Sequence, residues 1–135
     1  MAALTLRFRV DFGNRRSVGI GKIELLEGIA RSGSLSQAAR GMRMSYRRAW
    51  LLLEDLNASF KQPVAHASVG GRGGGGVVLT PFGKRLVAGY RRLESRLHPV
   101  AVACLGDVAR QIRVAAHRRG VKAGSIKAKT RARPR

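Results

Sequence analysis

The chain has 135 residues, with 27 Lys and Arg against 7 Asp and Glu, a formal net charge of +20. Self-repulsion from such an excess works against folding, so it points to a polyanionic partner: nucleic acid first, an anionic membrane surface second. No apolar run approaches a membrane span, and the one cysteine, Cys104, excludes an internal disulfide or a multi-cysteine metal cage and is expected to be a small apolar residue on a helix. The start of the chain is interrupted by Arg7, Arg9 and Asp11 and lacks a signal-peptide pattern, so the expected location is cytoplasmic and nucleoid-associated. The charge is uneven: residues 118–135 hold 8 basic groups and no acid, yet residues 1–117 still carry a net +12.

In residues 4–12, Leu4, Leu6, Phe8, Val10 and Phe12 alternate with polar residues, the period of a strand with one buried face, and Gly13 with Asn14 supplies a turn. Residues 21–32 are helical by spacing, with Ile23, Leu26, Ile29 and Ala30 on one stripe and Gly33 as a left-handed cap. Ser34 to Gln37 fits a capping box opening a short second helix that ends near Gly41. Ser45 is the expected N-cap of a third helix, which runs to about Phe60, buries Ala49, Leu52, Leu53 and Leu56, and has Asn57 as a terminator.

Residues 64–69 and 77–79 read as two short strands joined by a glycine-rich tip containing Arg72. Thr80 and Pro81 are the N-cap and first position of a long last helix. In it Leu86, Tyr90, Leu93 and Leu97 form a heptad-like seam expected to join two copies. Pro99 is expected to kink or break this helix near residues 95–98, after which Ala101, Cys104, Val108 and Ile112 continue an apolar stripe. Three regions follow: a DNA-binding domain over 1–97, a helical dimerisation extension over 98–117, and a disordered basic tail over 118–135.

Two helices across a tight turn, then a hairpin, give the order of a winged helix-turn-helix: mainly α with a small β-sheet and a long C-terminal dimerisation helix. In that fold the second of the paired helices enters the major groove with its N-terminal residues against base edges. Ser45, Tyr46, Arg47 and Arg48 therefore form the candidate reading surface, with Trp50 assigned to the core. Arg40 and Arg43 flank the turn within reach of phosphates, and Ser36 and Gln37 join them from the second helix. Arg72 is placed on the wing, where glycines let the backbone approach DNA. His66, His98 and His117 have no metal-ligand spacing and the acids are sparse, so neither a metal, a cofactor nor an enzymatic role is expected.

The motifs GSLSQAAR at 33–40, MSYRRAW at 44–50 and GGRGGGGVVLTPFG at 70–83 resemble the DNA-binding domain of ModE-type molybdate-responsive regulators, itself similar to the winged helix of LysR-type regulators. The resemblance covers roughly residues 20–97 and implies a homodimer on a palindromic duplex operator. It also has two departures. Family members that sense molybdate carry β-barrel domains after this region, whereas 38 residues follow Leu97, so molybdate binding is not expected of this chain. The family's turn usually has a glycine where Arg43 stands, which costs about 1 kcal/mol if that residue must adopt a positive φ. The resulting expectation is a sequence-specific, duplex-binding transcription regulator; the alternative is a non-specific architectural nucleoid protein.

Overall fold

The computed structural model describes residues 4–69 and 76–113. The first two strands, β1 (Arg9–Gly13) and β2 (Arg16–Gly19), form an antiparallel hairpin with Val10 opposite Val18 and Gly13 opposite Arg16. Asn14 (φ 49°) and Arg15 (φ 62°) make its tip, the pair of left-handed residues that a two-residue hairpin loop requires. The alternation expected from Leu4 onward holds in the burial of residues 4–10, but the ladder begins only at Arg9. Residues before it are held by α4 (Pro81–Ala109): the Tyr90 hydroxyl donates to the Phe8 carbonyl at 2.7 Å, and the two rings stack at 4.5 Å.

Helix α1 (Ile20–Ser32) buries Ile23, Leu25, Leu26, Gly28 and Ile29, while Ala30 faces solvent. The core stripe is thus shifted from the expected one toward Leu25. Gly33 ends α1 at φ 71° and donates its amide to Ile29, as anticipated. Helix α2 (Leu35–Gly41) opens on Ser34, whose hydroxyl accepts from the Gln37 amide at 3.1 Å. The return half of the expected capping box is replaced: the Ser34 amide donates to the Ser32 hydroxyl at 3.2 Å. A Cβ on Gly28 would lie 3.1 Å from the Ala38 Cβ, so small residues permit the close crossing of α1 and α2.

Helix α3 (Tyr46–Ser59) crosses next, and Asn57 continues it instead of terminating it. The Asn57 side chain accepts from the amides of Val64 (2.7 Å) and Ala65 (3.3 Å), pinning the chain as it enters β3 (Ala65–Ser68). Strand β3 pairs antiparallel with β4 (Gly76–Leu79), Ala65 opposite Leu79, so the small β content is two separate hairpins. The Val77 amide donates to Gly33 at 3.0 Å, which fixes the second hairpin beside the α1–α2 corner.

Thr80 caps α4, accepting from the Gly83 amide at 2.9 Å and donating to the Pro63 carbonyl at 2.8 Å. The helix does not break at Pro99. Proline removes the amide that would bond to the Ser95 carbonyl, but both residues are exposed, so water can satisfy that oxygen. The core formed by these elements contains Val18, Ile23, Leu25, Leu26, Ile29, Leu35, Ala49, Leu56, Val64, Leu79 and Tyr90, with no buried polar side chain among the described residues. This order and packing make a winged helix-turn-helix. Residues 118–135, expected to be a disordered tail, lie outside the described residues.

Candidate nucleic-acid interface

The turn between α2 and α3 sets the geometry of the site. Arg43 sits at φ 57°, its amide donating to the Arg40 carbonyl at 3.1 Å, and the Met44 amide donates back to Ala39 at 3.0 Å. This pair of bonds is the Schellman pattern, with arginine at the left-handed position that glycine usually occupies. Met44 then packs against the core, and Ser45 follows as the N-cap of α3, accepting from the Arg48 amide at 3.1 Å. Capping leaves the other first-turn amides of α3 pointing outward, at the end of the helix dipole that favours anions.

Helix α3 buries Ala49 and Leu56 completely, with Leu52 and Leu53 partly buried beside them. At about 100° per residue, Arg47 stands roughly opposite that stripe, at the middle of the exposed arc. Ser45, Tyr46, Arg47 and Arg48 are all exposed, as are Ser36, Gln37, Arg40 and Arg43. The fold brings these candidate residues onto α2, the turn and the first turns of α3. Arg72 lies outside the described residues, although the strands that flank its segment are paired.

Trp50 corrects the sequence reading. It is 44% exposed, not core, and Leu51 is 47% exposed. Trp50 lies about 100° round the helix from Ala49, beyond the edge of the buried stripe. The signal was available: Ala49, Leu52, Leu53 and Leu56 already form the α3 stripe by spacing, and Trp50 falls outside that arc.

The electrostatics are sharply divided. No Asp or Glu occurs between Glu27 and Glu54, a stretch holding Arg31, Arg40, Arg43, Arg47 and Arg48. Among the described residues, none of Arg40, Arg43, Arg47 and Arg48 has an acidic partner. Five of the seven acids are engaged elsewhere: Asp11 with Arg9, Asp55 with Lys22 and Arg16, Glu27 and Glu94 with Arg91, and Asp107 with Arg110. Hydrogen bonds from Arg91 hold the Glu27 carboxyl below its ordinary value despite partial burial, and the two carboxylates push the Arg91 guanidinium up. Glu27 thus ties α1 to α4 and Asp55 ties α3 to α1 and β2, while the arginines of α2, the turn and the start of α3 have no acid to neutralise them among the described residues.

On α4, Leu86 is partly buried against the core and Tyr90 is only 5% exposed, its ring and hydroxyl already engaged by Phe8. Leu93 is exposed and Leu97 half-buried. Beyond His98 the larger aliphatics of the helix, Val100, Val102, Leu105 and Val108, are all exposed, as is Cys104, which is not packed in a core. No helix among the described residues is long and apolar enough to cross a membrane.

Residues 20–84 match the model of bacterial regulatory helix-turn-helix proteins of the lysR family. The molybdenum-pterin-binding protein MopA of Rhodobacter capsulatus is 45% identical over 80 residues, which are 59% of this chain and 30% of MopA. Its counterpart MopB is 42% identical over 78 residues, 58% of this chain and 29% of MopB. The DNA-binding transcriptional dual regulator ModE of Escherichia coli is 42% identical over 69 residues, 51% of this chain and 26% of ModE. The chain thus spans less than a third of the length of these relatives. The matched segment begins at the start of α1 and ends in the first turn of α4, so it contains the turn, α3 and the second hairpin. Residues 20–84 accordingly resemble the helix-turn-helix of lysR-type regulators, and the chain is similar to ModE, MopA and MopB over 51–59% of its own length.

Proposed function

We propose that the chain is a sequence-specific transcription regulator that binds duplex DNA. The observation that carries this reading is the exposed, acid-free front of α3, with Arg47 opposite the buried stripe and Ser45 capping the end presented to the groove. Arginine bonds guanine O6 and N7 together, and each such pair discriminates by about 1–3 kcal/mol. Arg40, Arg43 and Arg48 serve as phosphate contacts that fix register, with Ser36, Gln37 and Tyr46 as neutral donors beside them. Arg72 reaches the backbone or minor groove from the wing.

The working form is a homodimer joined through α4. Support comes from the exposed aliphatics past His98, which have no reason to be apolar on a solvated helix. The interface centres on Leu93 and Leu97 and extends to Val100, Leu105 and Val108, with Leu86 and Tyr90 bracing it from within each subunit. Two copies then present two α3 helices to successive turns of one face of the duplex.

The +20 charge favours a second reading, a non-specific architectural protein. The two separate on Arg47→Ala. Under the regulator reading, the variant keeps its helical circular dichroism and loses discrimination between a preferred and a scrambled duplex. Under the architectural reading it loses only a share of affinity, equal for both, and deletion of residues 118–135 abolishes most binding.

A further inference from the structure

The exposed arc of α3 is not purely cationic. Tyr46 and Trp50 are one turn apart on one row, and Arg47 and Leu51 are one turn apart on the next, positions that neighbour each other on a helix surface. Tyr46 is 57% exposed, Trp50 44% and Leu51 47%, so three large side chains leave the core within two turns. None has a side-chain hydrogen bond within the described residues that would explain its position. Arg47 and Arg48 share the first turns of α3 with them, Arg40 and Arg43 precede them on α2 and the turn, and Glu54 follows Trp50 by one turn; all five are exposed.

Apolar side chains set among cations that have no acidic partner among the described residues fit a partner that offers both anionic and apolar groups. Duplex DNA offers that combination in the major groove, where phosphates line the walls and the thymine C5 methyl is the one apolar group on a base edge. We propose that Trp50 and Leu51 read thymine methyl groups, while Arg47 takes a guanine beside them. This rests on the duplex-binding reading above and adds the base it prefers: the bound half-site contains a thymine under Trp50, and its methyl contributes to affinity.

The test uses the full chain and a duplex recovered by affinity selection from a random library. Each thymine of that duplex is replaced in turn by deoxyuridine, which removes only the methyl. At one or more positions wild type is expected to bind about fourfold more weakly, the worth of one buried methyl. Trp50→Ala is expected to bind the thymine and uracil duplexes alike at those positions, and Trp50→Phe to restore part of the difference. Trp50 is the only tryptophan, so its emission is expected to be quenched or blue-shifted by the selected duplex. Uniform indifference to methyl removal, or unchanged sensitivity in Trp50→Ala, overturns the patch while leaving sequence-specific binding intact. Tighter binding to single strands than to the duplex also overturns it, because stacking on unpaired bases would then be the use of the aromatics. Recovery of no preferred duplex overturns the duplex-binding reading and the patch together.

Discussion

Arg43 carries both a structural cost and a proposed contact. Its φ of 57° is the left-handed conformation that costs a non-glycine residue about 1 kcal/mol or more. Arg43→Gly is therefore expected to stabilise the fold by up to about that amount, raising the thermal midpoint by several degrees. The same change is expected to weaken duplex binding and to reduce the salt slope by about 0.9, the share of one phosphate contact. A variant that is more stable and binds as tightly would show that Arg43 touches nothing. At this scale the sequence was readable where a short polar side chain precedes a helix: Ser34, Ser45 and Thr80 all cap as anticipated. It was misleading at Trp50, because hydrophobicity names a residue's preference and the angle round the helix decides whether the core has room for it. Asn57 misled for a related reason. Its side chain satisfies amides seven and eight residues later, a contact that local pattern does not encode.

Between elements, two contacts govern where α4 stands. A Cβ on Gly83 would lie 2.0 Å from the Val64 carbonyl oxygen, a backbone atom that cannot move aside cheaply. Gly83→Ala is thus expected to push α4 off the β3 entrance and to destabilise by about 2–4 kcal/mol, read by denaturant unfolding. Arg91 joins the other side, bonding both Glu27 oxygens at 2.8 Å and so clamping α4 to α1. Because the Glu27 carboxyl is held below its ordinary value, its contribution is complete above that value and is lost as pH falls through the native one. Wild type is expected to exceed Glu27→Gln in stability at pH 7, and the gap should close on acidification below about pH 4. A gap independent of pH would mean that the clamp acts by packing alone. Helices and the second hairpin were legible from spacing and caps. Strand β2 was not, since its sequence RSVG contains a single buried residue, Val18, and the strand exists only through its pairing with β1. The persistence of α4 through Pro99 was hidden as well, because it depends on the exposure of Ser95 and Pro99 rather than on the proline itself.

At the scale of the whole molecule, Glu27 and Asp55 pair with cations on neighbouring elements, while Arg40, Arg43, Arg47 and Arg48 stand without an acidic partner among the described residues. The residues picked out in the sequence lie exposed on α2, the turn and the start of α3, while the partners of the acids emerged only once ion pairs could be placed. The distal half of α4 is the second large-scale feature. Leu105→Lys is expected to shift sedimentation at micromolar concentration from dimer to monomer without loss of helical signal, and to weaken binding to a two-half-site duplex far more than to a single half-site. Equal sedimentation of variant and wild type as a monomer would remove α4 as the joining element. The central claim, that the front of α3 reads sequence, is tested most directly by the affinity of the full chain for its selected duplex relative to a scrambled one at physiological salt. The expected ratio is on the order of 1,000 or more for wild type, as for specific DNA-binding proteins generally, and falls sharply in Arg47→Ala. A ratio near one for wild type, with both affinities falling together as salt rises, would contradict it.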